Sequence, residues 1–300
     1  MPFFKAAIEK QSKKMVLKKI PLDYNRGEYM PTRNKMKKFA ALLTAWHLGL
    51  LLSALPMGGQ NVVNLAFGDG EKLLYVGSFN LASLWTNIAK ITLEVNKTTG
   101  SSSPVLRLVV SGQTFSAWDS HFKLRDLYQS WVEPESGKPL IFKRDILEGK
   151  YTKDEKYIFN RKSNIVESTV KTKQGKVTNA TVKITAGTYD LISFLYLIRN
   201  LDYNRMAPDQ ATAVSVLIDE RLETIVVKYK GVETLQVDKL GPKKCHKLTV
   251  NIQNPKILKQ RETNNLWLTA DANRIPVLVK VEIPVGSIQL KIVEATGLRN

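Results

Sequence analysis

Beyond Gln60, short runs rich in Val, Ile, Leu and Tyr alternate with turn-forming residues at intervals of about ten to fourteen positions, the rhythm of an antiparallel meander. Turn chemistry falls at Asn96–Gly100, Glu133–Pro139, Asn160–Asn164, Gln174–Lys176, Lys230–Gly231, Gly241–Pro242, Asp271–Asn273 and Pro284–Ser287. Between the turns the pattern has period two. Lys280–Glu282 and Ser287–Ile292 alternate cleanly, and Phe122, Leu124, Asp126 and Tyr128 oppose Lys123, Arg125, Leu127 and Gln129, so each strand buries one face and wets the other. Over Thr188–Asn200 the period changes: Leu191, Phe194, Leu195 and Ile198 recur at i, i+3, i+4 and i+7 behind Thr188, which predicts a helix capped by Thr188. One apolar helix among about a dozen strands has only the sheet to pack on. The expected fold is therefore mainly β, a long antiparallel meander curled as a half-barrel around one central helix. No linker or repeat divides residues 60–300, which read as a single domain.

The first fifty-nine residues follow another pattern. Met36-Lys37-Lys38 precedes an uncharged apolar run from Phe39 to Leu55, interrupted only by Thr44, His47 and Ser53, and Pro56, Gly58 and Gly59 then break it. A basic start, an apolar core and a breaker describe a signal peptide over 36–59, with cleavage expected near Gly59–Gln60. Because Leu55 and Met57 are poor small-residue positions, an uncleaved single-span anchor stays open. The expectation is an exported, periplasmic protein whose membrane contact runs only through residues 39–55. Residues 1–35 form a basic leader, with Lys13, Lys14, Lys18 and Lys19 inside Phe4–Ile20. It reads either as an upstream start assigned in error or as an amphipathic segment touching anionic lipid.

Charge and composition narrow the function. The chain carries a formal +18, but residues 1–59 hold eleven Lys/Arg against three acidic residues, a net of +8, leaving +10 for residues 60–300. That remainder is spread over turns and alternating positions, as on solvated sheet edges, and the glycine-rich, aromatic signature of RNA-binding sheets is absent; no nucleic-acid partner is expected. A single cysteine, Cys245, excludes an intramolecular disulfide, and three scattered histidines exclude a spaced metal motif, so neither metal nor cofactor is expected.

Several residues carry chemistry worth weighing. Arg125 and Asp126 are strand neighbours and must face opposite sides, so one charge points inward as a structural ion pair or part of a cavity site. Arg199 and Asp202, at the end of the helix, pose the same question, with cross-pairs Arg125–Asp202 or Asp126–Arg199 as candidates. His121 as base and Tyr128 as acid, with Arg125 neutralising a uronate carboxylate, form the weak catalytic candidates, although their odd separation puts them on opposite faces of a regular strand. Cys245 and His246, adjacent on a strand, oppose each other, so Cys245 reads as a small core residue rather than as a nucleophile with an adjacent base. Trp85, Trp118, Trp131 and Trp267 fill a core or line a groove. The candidate binding set is Lys123, Arg125, Asp126, Arg199, Asp202, Trp85 and Trp267.

Read in order, Phe67-Gly68-Asp69-Gly70-Glu71-Lys72-Leu73, Trp85, Lys123–Tyr128, Tyr196–Asp202, Trp267–Asp271, Arg274–Val277, Val285–Ile288 and Gly297-Leu298-Arg299-Asn300 resemble the exported family known as domain of unknown function 3108, of Gram-negative bacteria including Bacteroidota. The resemblance covers roughly residues 67–300. Ala82, Ala89 and Leu127 depart from the pattern. The resemblance implies a mainly β protein, by analogy with the curved sheet around a helix in periplasmic lipoprotein carriers, and implies no activity. The function expected is a non-catalytic binding or carrier module that holds a lipid-like or envelope-polymer ligand on the concave side of the sheet, a reading that an interior already filled by core side chains would overturn. The alternatives are a lyase-like enzyme acting on an acidic polysaccharide and a structural factor in envelope assembly.

Overall fold

The computed structural model describes residues 65–81, 84–99, 104–172, 174–253, 264–283 and 286–300; the basic leader and the expected signal segment lie outside them. Among the described residues fifteen strands follow one another: β1 (Lys72–Leu81), β2 (Leu84–Thr99), β3 (Pro104–Thr114), β4 (Leu124–Val132), β5 (Pro139–Glu148), β6 (Tyr151–Asn160), β7 (Ile165–Thr172), β8 (Val177–Lys183), β9 (Thr188–Asp190), β10 (Ala211–Ile218), β11 (Arg221–Val237), β12 (Gly241–Ile252), β13 (Asn265–Thr269), β14 (Pro276–Ile283) and β15 (Gly286–Thr296). They form one large open sheet in the order β8-β7-β6-β5-β4-β3-β2-β1-β15-β14-β13-β12-β11-β10-β9. Every pairing is antiparallel except β9 with β10, where Thr188–Asp190 runs parallel to Ser215–Leu217. Two limbs, β1–β8 and β10–β15, are thus meanders joined by the first and last strands, β1 against β15.

The helix is shorter than the periodicity predicts. Its first residues extend as β9, and α2 occupies Leu191–Leu197, continued by one 3₁₀ turn over Ile198–Asn200; α1 is the single turn Ser116–Asp119. Asp190, not Thr188, is the N-cap: its carboxylate accepts from the Ile192 and Ser193 amides at 2.8 and 2.9 Å, and Ser193 Oγ accepts from the Asp190 amide at 3.0 Å. This reciprocal arrangement satisfies donors the first turn cannot. Thr188 is drawn into the sheet instead, where its hydroxyl accepts from the Thr185 amide at 3.0 Å.

Three turn expectations are corrected. Asn96–Thr99, read as the start of a turn, still belong to β2 and pair with Arg107 to Pro104 of β3, because the ladder outlasts the local turn chemistry. Lys230–Gly231 is no turn: β11 runs through it, and the register shifts between Tyr229 and Gly231, whose φ of +103° lets the backbone bulge without reversing. Gly241–Pro242 starts β12, and the reversal before it is a 3₁₀ turn at Asp238–Leu240.

Helix α2 packs on both limbs. Phe194, Leu197 and Ile198 join a core with Val214, Val216, Ile225, Val227, Leu248 and Leu266, while Ile192 and Tyr196 join another with Val95, Leu106, Leu108, Val132, Phe142 and Tyr157. Side chains also link strands from opposite ends of the sheet order. Ser130 on β4 donates to Asp190 at 2.6 Å, the Arg161 guanidinium donates to Thr188 O at 3.0 Å, and Ser168 on β7 donates to Glu220 in the β10–β11 turn at 2.6 Å.

That turn is unusual for its sequence. Asp219 and Glu220 form a two-residue hairpin with φ of +50° and +60°, a conformation that favours Asn-Gly. Interior partners hold it. Asp219 pairs with Arg144 and with Lys153, the latter at 2.8 Å, and the Glu220 amide donates to Tyr157 Oη at 3.0 Å. Contacts made deep in the facing limb therefore offset the backbone strain at this turn.

Candidate functional site

Three polar constellations and one cleft emerge. The first is built around Arg199, whose side chain is 1% exposed. Its guanidinium meets the buried Glu71 carboxylate in a bidentate pair, 2.7 Å on each arm, and donates further to Ala66 O at 3.0 Å and Asn273 O at 2.9 Å. The rings of Tyr196 and Phe67 lie 5.2 and 5.5 Å from its centre. Around it the Ala66 amide donates to Asn200 Oδ1 at 2.8 Å, Arg274 donates to Arg199 O at 3.1 Å, and the Asn300 amide donates to Asn273 Oδ1 at 2.9 Å. Gly297, at φ +62°, sits so close that a Cβ there would lie 2.0 Å from Gly70 O. Four segments far apart in sequence, 66–71, 199–200, 271–274 and 297–300, are tied at one knot around the Arg199–Glu71 ion pair.

The second constellation lines the interior near the other end of β4–β7. Arg144, 5% exposed, pairs with Glu155 and Asp219, and Lys153 reaches both at 2.9 and 2.8 Å. Burial would raise the Asp219 carboxyl, but Arg144 and Lys153 outweigh it and hold the group below its ordinary value. Beside this network Asp126 and Glu148 form no ion pair among the described residues. Burial pushes Asp126 up to about 7, with the Glu148 charge adding to the shift, and burial also raises Glu148. Tyr128, packed against the α2 core, is raised well above its ordinary value by the same burial and by Asp126.

The third is a ring cluster. His246 stacks 4.9 Å from Tyr203, and its Nδ1 lies 3.3 Å from Tyr229 Oη; burial, then Arg274, keeps its imidazole below the usual value. Cys245, on the opposite face, is fully buried and its thiol is pushed up to about 11 by that burial, so it is a poor nucleophile.

The cleft lies on the opposite face from α2. By alternation from the inward Val95, Leu108, Val132 and Phe142, the side chains of Lys90, Thr92, Ser111, Gln113, Arg125 and Asp145 point outward, and they line an open cleft of about 300 Å³ across β2–β5. Arg125 is fixed there by Asp119 at 2.5 Å and by Thr114 Oγ1 at 3.1 Å. Two rows further along the same face, Arg107 and Lys143 each stand 5.5 Å from the Trp131 ring.

The structure separates most of the residues singled out from the sequence. Neither cross-pair forms: Arg125 binds Asp119, Arg199 binds Glu71, and Asp202 meets only Arg205, at 3.2 Å on the surface. His121 is exposed beside α1, with Nδ1 3.2 Å from Ser120 Oγ, whereas Tyr128 points into the core, so the two do not converge. Lys123 is exposed, and its carbonyl accepts from the Gly149 amide at 2.7 Å. Trp85 is 40% exposed, but Trp267 is buried, donating through Nε1 to Glu233 under Lys247 and Lys280. Unforeseen were Glu71, Asn273 and the Arg144–Glu155–Lys153–Asp219 network. Glu71 was visible only as part of the Phe67–Leu73 block, because nothing local marks it as buried. No group of three or more His, Cys, Asp and Glu able to hold a metal occurs among the described residues.

The fold has a relative among solved structures. A crystal structure titled beta-barrel-like protein of domain of unknown function DUF1849, from Brucella abortus, aligns with a TM-score of 0.50 at 10% identity, covering 75% of this chain and 96% of its own. At that identity the likeness concerns the fold alone. No curated protein matches the sequence significantly. A family model described as Protein of unknown function (DUF3108) matches residues 74–293. That span takes in most of the meander and the helix, and the chain belongs to this family.

Proposed function

We propose that the protein is an exported, non-catalytic binding module of the cell envelope that holds a polar envelope polymer on the outer face of β2–β5. The observation that carries this reading is the contrast between the two faces. The outer cleft is open and presents cationic, anionic and hydroxyl groups from Lys90, Thr92, Ser111, Gln113, Arg125 and Asp145. The inner face is occupied by α2 and its two cores, and the gap beside Tyr196 and Leu197 measures about 10 Å³, room for about one water and far short of an acyl chain. The filled interior counts against the concave side for either ligand, so the reading moves to the outer face, whose polar lining favours the polymer over a lipid-like ligand.

In this reading the sheet forms a half-barrel wrapped on α2, which the Ser130–Asp190, Ser168–Glu220 and Arg144–Asp219 contacts between distant strands support. The sequence pattern of residues 36–59 supports export, which in this reading puts the module outside the inner membrane. The lyase-like alternative loses its support, since His121 is exposed in the turn before β4 while Tyr128 packs into the core and is held strongly protonated.

Titration with polygalacturonate oligomers, followed by backbone amide shifts and by absorbance of unsaturated product, tests both readings. Shifts confined to β2–β5, lost in Lys90→Ala/Gln113→Ala, with no product formed, are expected. Product formation overturns the non-catalytic reading, and shifts elsewhere or none overturn the site.

A further inference from the structure

The two ends of the sheet differ in a way unrelated to the cleft. Antiparallel register places the β1–β2 tip, residues 115–123 between β3 and β4, the Gly149–Lys150 turn, the β7–β8 turn and the β10–β11 turn at one end. The described residues include seven exposed large hydrophobics, and four of them, Trp85, Phe115, Val177 and Leu222, lie at these tips. Every exposed charged side chain described at these tips is cationic: Lys123, Lys150, Lys176 and Arg221. None of the four makes an ion pair among the described residues. The acidic residues at the same tips already have partners, Asp119 in Arg125 on the outer face, Asp219 in Arg144 and Lys153, and Glu220 in Ser168. The opposite end exposes acids as well as bases, among them Asp69, Glu135, Asp202, Asp238 and Asp271.

Burial does not explain an end with apolar residues on several separate hairpins and unpaired cations between them, because no described element covers it. A flat, anionic, partly apolar partner does. Exposed Trp and Phe suit the headgroup boundary of a bilayer, and lysines beside them gain from anionic lipid at about fivefold in partition per cation near the surface.

We propose that this end docks on an anionic lipid bilayer surface, with Trp85, Phe115, Val177 and Leu222 entering the headgroup layer and Lys123, Lys150, Lys176 and Arg221 meeting lipid phosphates. The inference does not depend on what the outer cleft binds.

The test uses the full chain with an environment-sensitive label on Val177→Cys or, at the opposite end, on Leu298→Cys, since native Cys245 is fully buried. Each is titrated with phosphatidylcholine vesicles with and without phosphatidylglycerol. Any insertion of residues 39–55 is common to both labels. The label at 177 is expected to shift blue only with phosphatidylglycerol present, and the label at 298 to stay unchanged. Adding Lys150→Ala/Lys176→Ala should lower the apparent partition on the order of 25-fold, and circular dichroism of that variant confirms its fold. Equal response of both labels, or a response independent of phosphatidylglycerol, overturns the proposal. So does a shift at 177 with soluble polygalacturonate but not with vesicles, which would assign this end to an anionic polymer.

Discussion

Replacing Glu71 by Ala removes one half of the most deeply buried ion pair among the described residues. Arg199 and Glu71 are 1% and 0% exposed, so neither charge can turn to water when its partner goes. Removing one partner of such a pair costs about 3–5 kcal/mol, because the remaining charge stays desolvated. Arg199 keeps two carbonyl acceptors, Ala66 O and Asn273 O, which place the expected loss near the lower end, about 3 kcal/mol. With a urea m-value of roughly 2–3 kcal/mol/M, the unfolding midpoint should fall by about 1–1.5 M with an unchanged slope. Arg199→Met should cost at least as much, since Glu71 then has no cation at all. The double variant Glu71→Leu/Arg199→Met should recover much of the loss, giving a coupling energy above about 2 kcal/mol in a double-mutant cycle. If Glu71→Ala shifts the midpoint by less than about 0.3 M, or the two losses simply add, then the knot does not bear on stability and the reasoning fails.

Other consequences follow from single contacts. Asp126 has a folded value raised to about 7 from an ordinary 3.8, so the native state holds its proton longer than the unfolded chain; its contribution is complete below about pH 4 and is lost as pH rises to 7. Asp126→Asn should therefore flatten the fall in stability across that window, by about 1–3 kcal/mol, read from urea midpoints at pH 4 and 8. Gly297→Ala needs a left-handed backbone and a Cβ 2.0 Å from Gly70 O, so thermal unfolding should drop by several degrees and the exchange protection of the Gly70 amide should weaken. Asp190→Ala removes the cap of α2 and leaves Ser130 Oγ without its acceptor, which should cost about 1–3 kcal/mol, with loss of helical signal at lower urea than wild type.

Much of the fold could be read from sequence because it rests on local chemistry. Period-two alternation marks β4 and β15, and turn residues mark the tips at 160–164 and 174–176. Helix α2 showed itself by its apolar spacing, but its start did not, since Thr188 is a good cap in isolation. Asp190 wins because Ser193 completes the reciprocal cap and because residues 188–190 pair with β10, a long-range contact that no local pattern carries. Lys230–Gly231 reads as a turn for the same reason a bulge can live there: both exploit a glycine at positive φ.

The candidate site was less legible. Alternation correctly separated Arg125 from Asp126 and Cys245 from His246, because side-chain direction is local. Which charges meet is not. Arg199 finds Glu71 across 128 positions, and Asp219 finds Arg144 across 75, and both partners are ordinary surface types in sequence. The outer cleft likewise depends on four strands standing side by side, so Lys90 and Gln113 acquire a role only once the register of β2 and β3 is known.

Native mass spectrometry of the protein purified from its own cell envelope tests the central claim most directly. A stoichiometric polar polymer fragment that is retained by the wild-type protein and lost in Lys90→Ala/Gln113→Ala is the predicted result. An acyl lipid retained equally by both, or a protein that is empty while polygalacturonate is turned over, would contradict it.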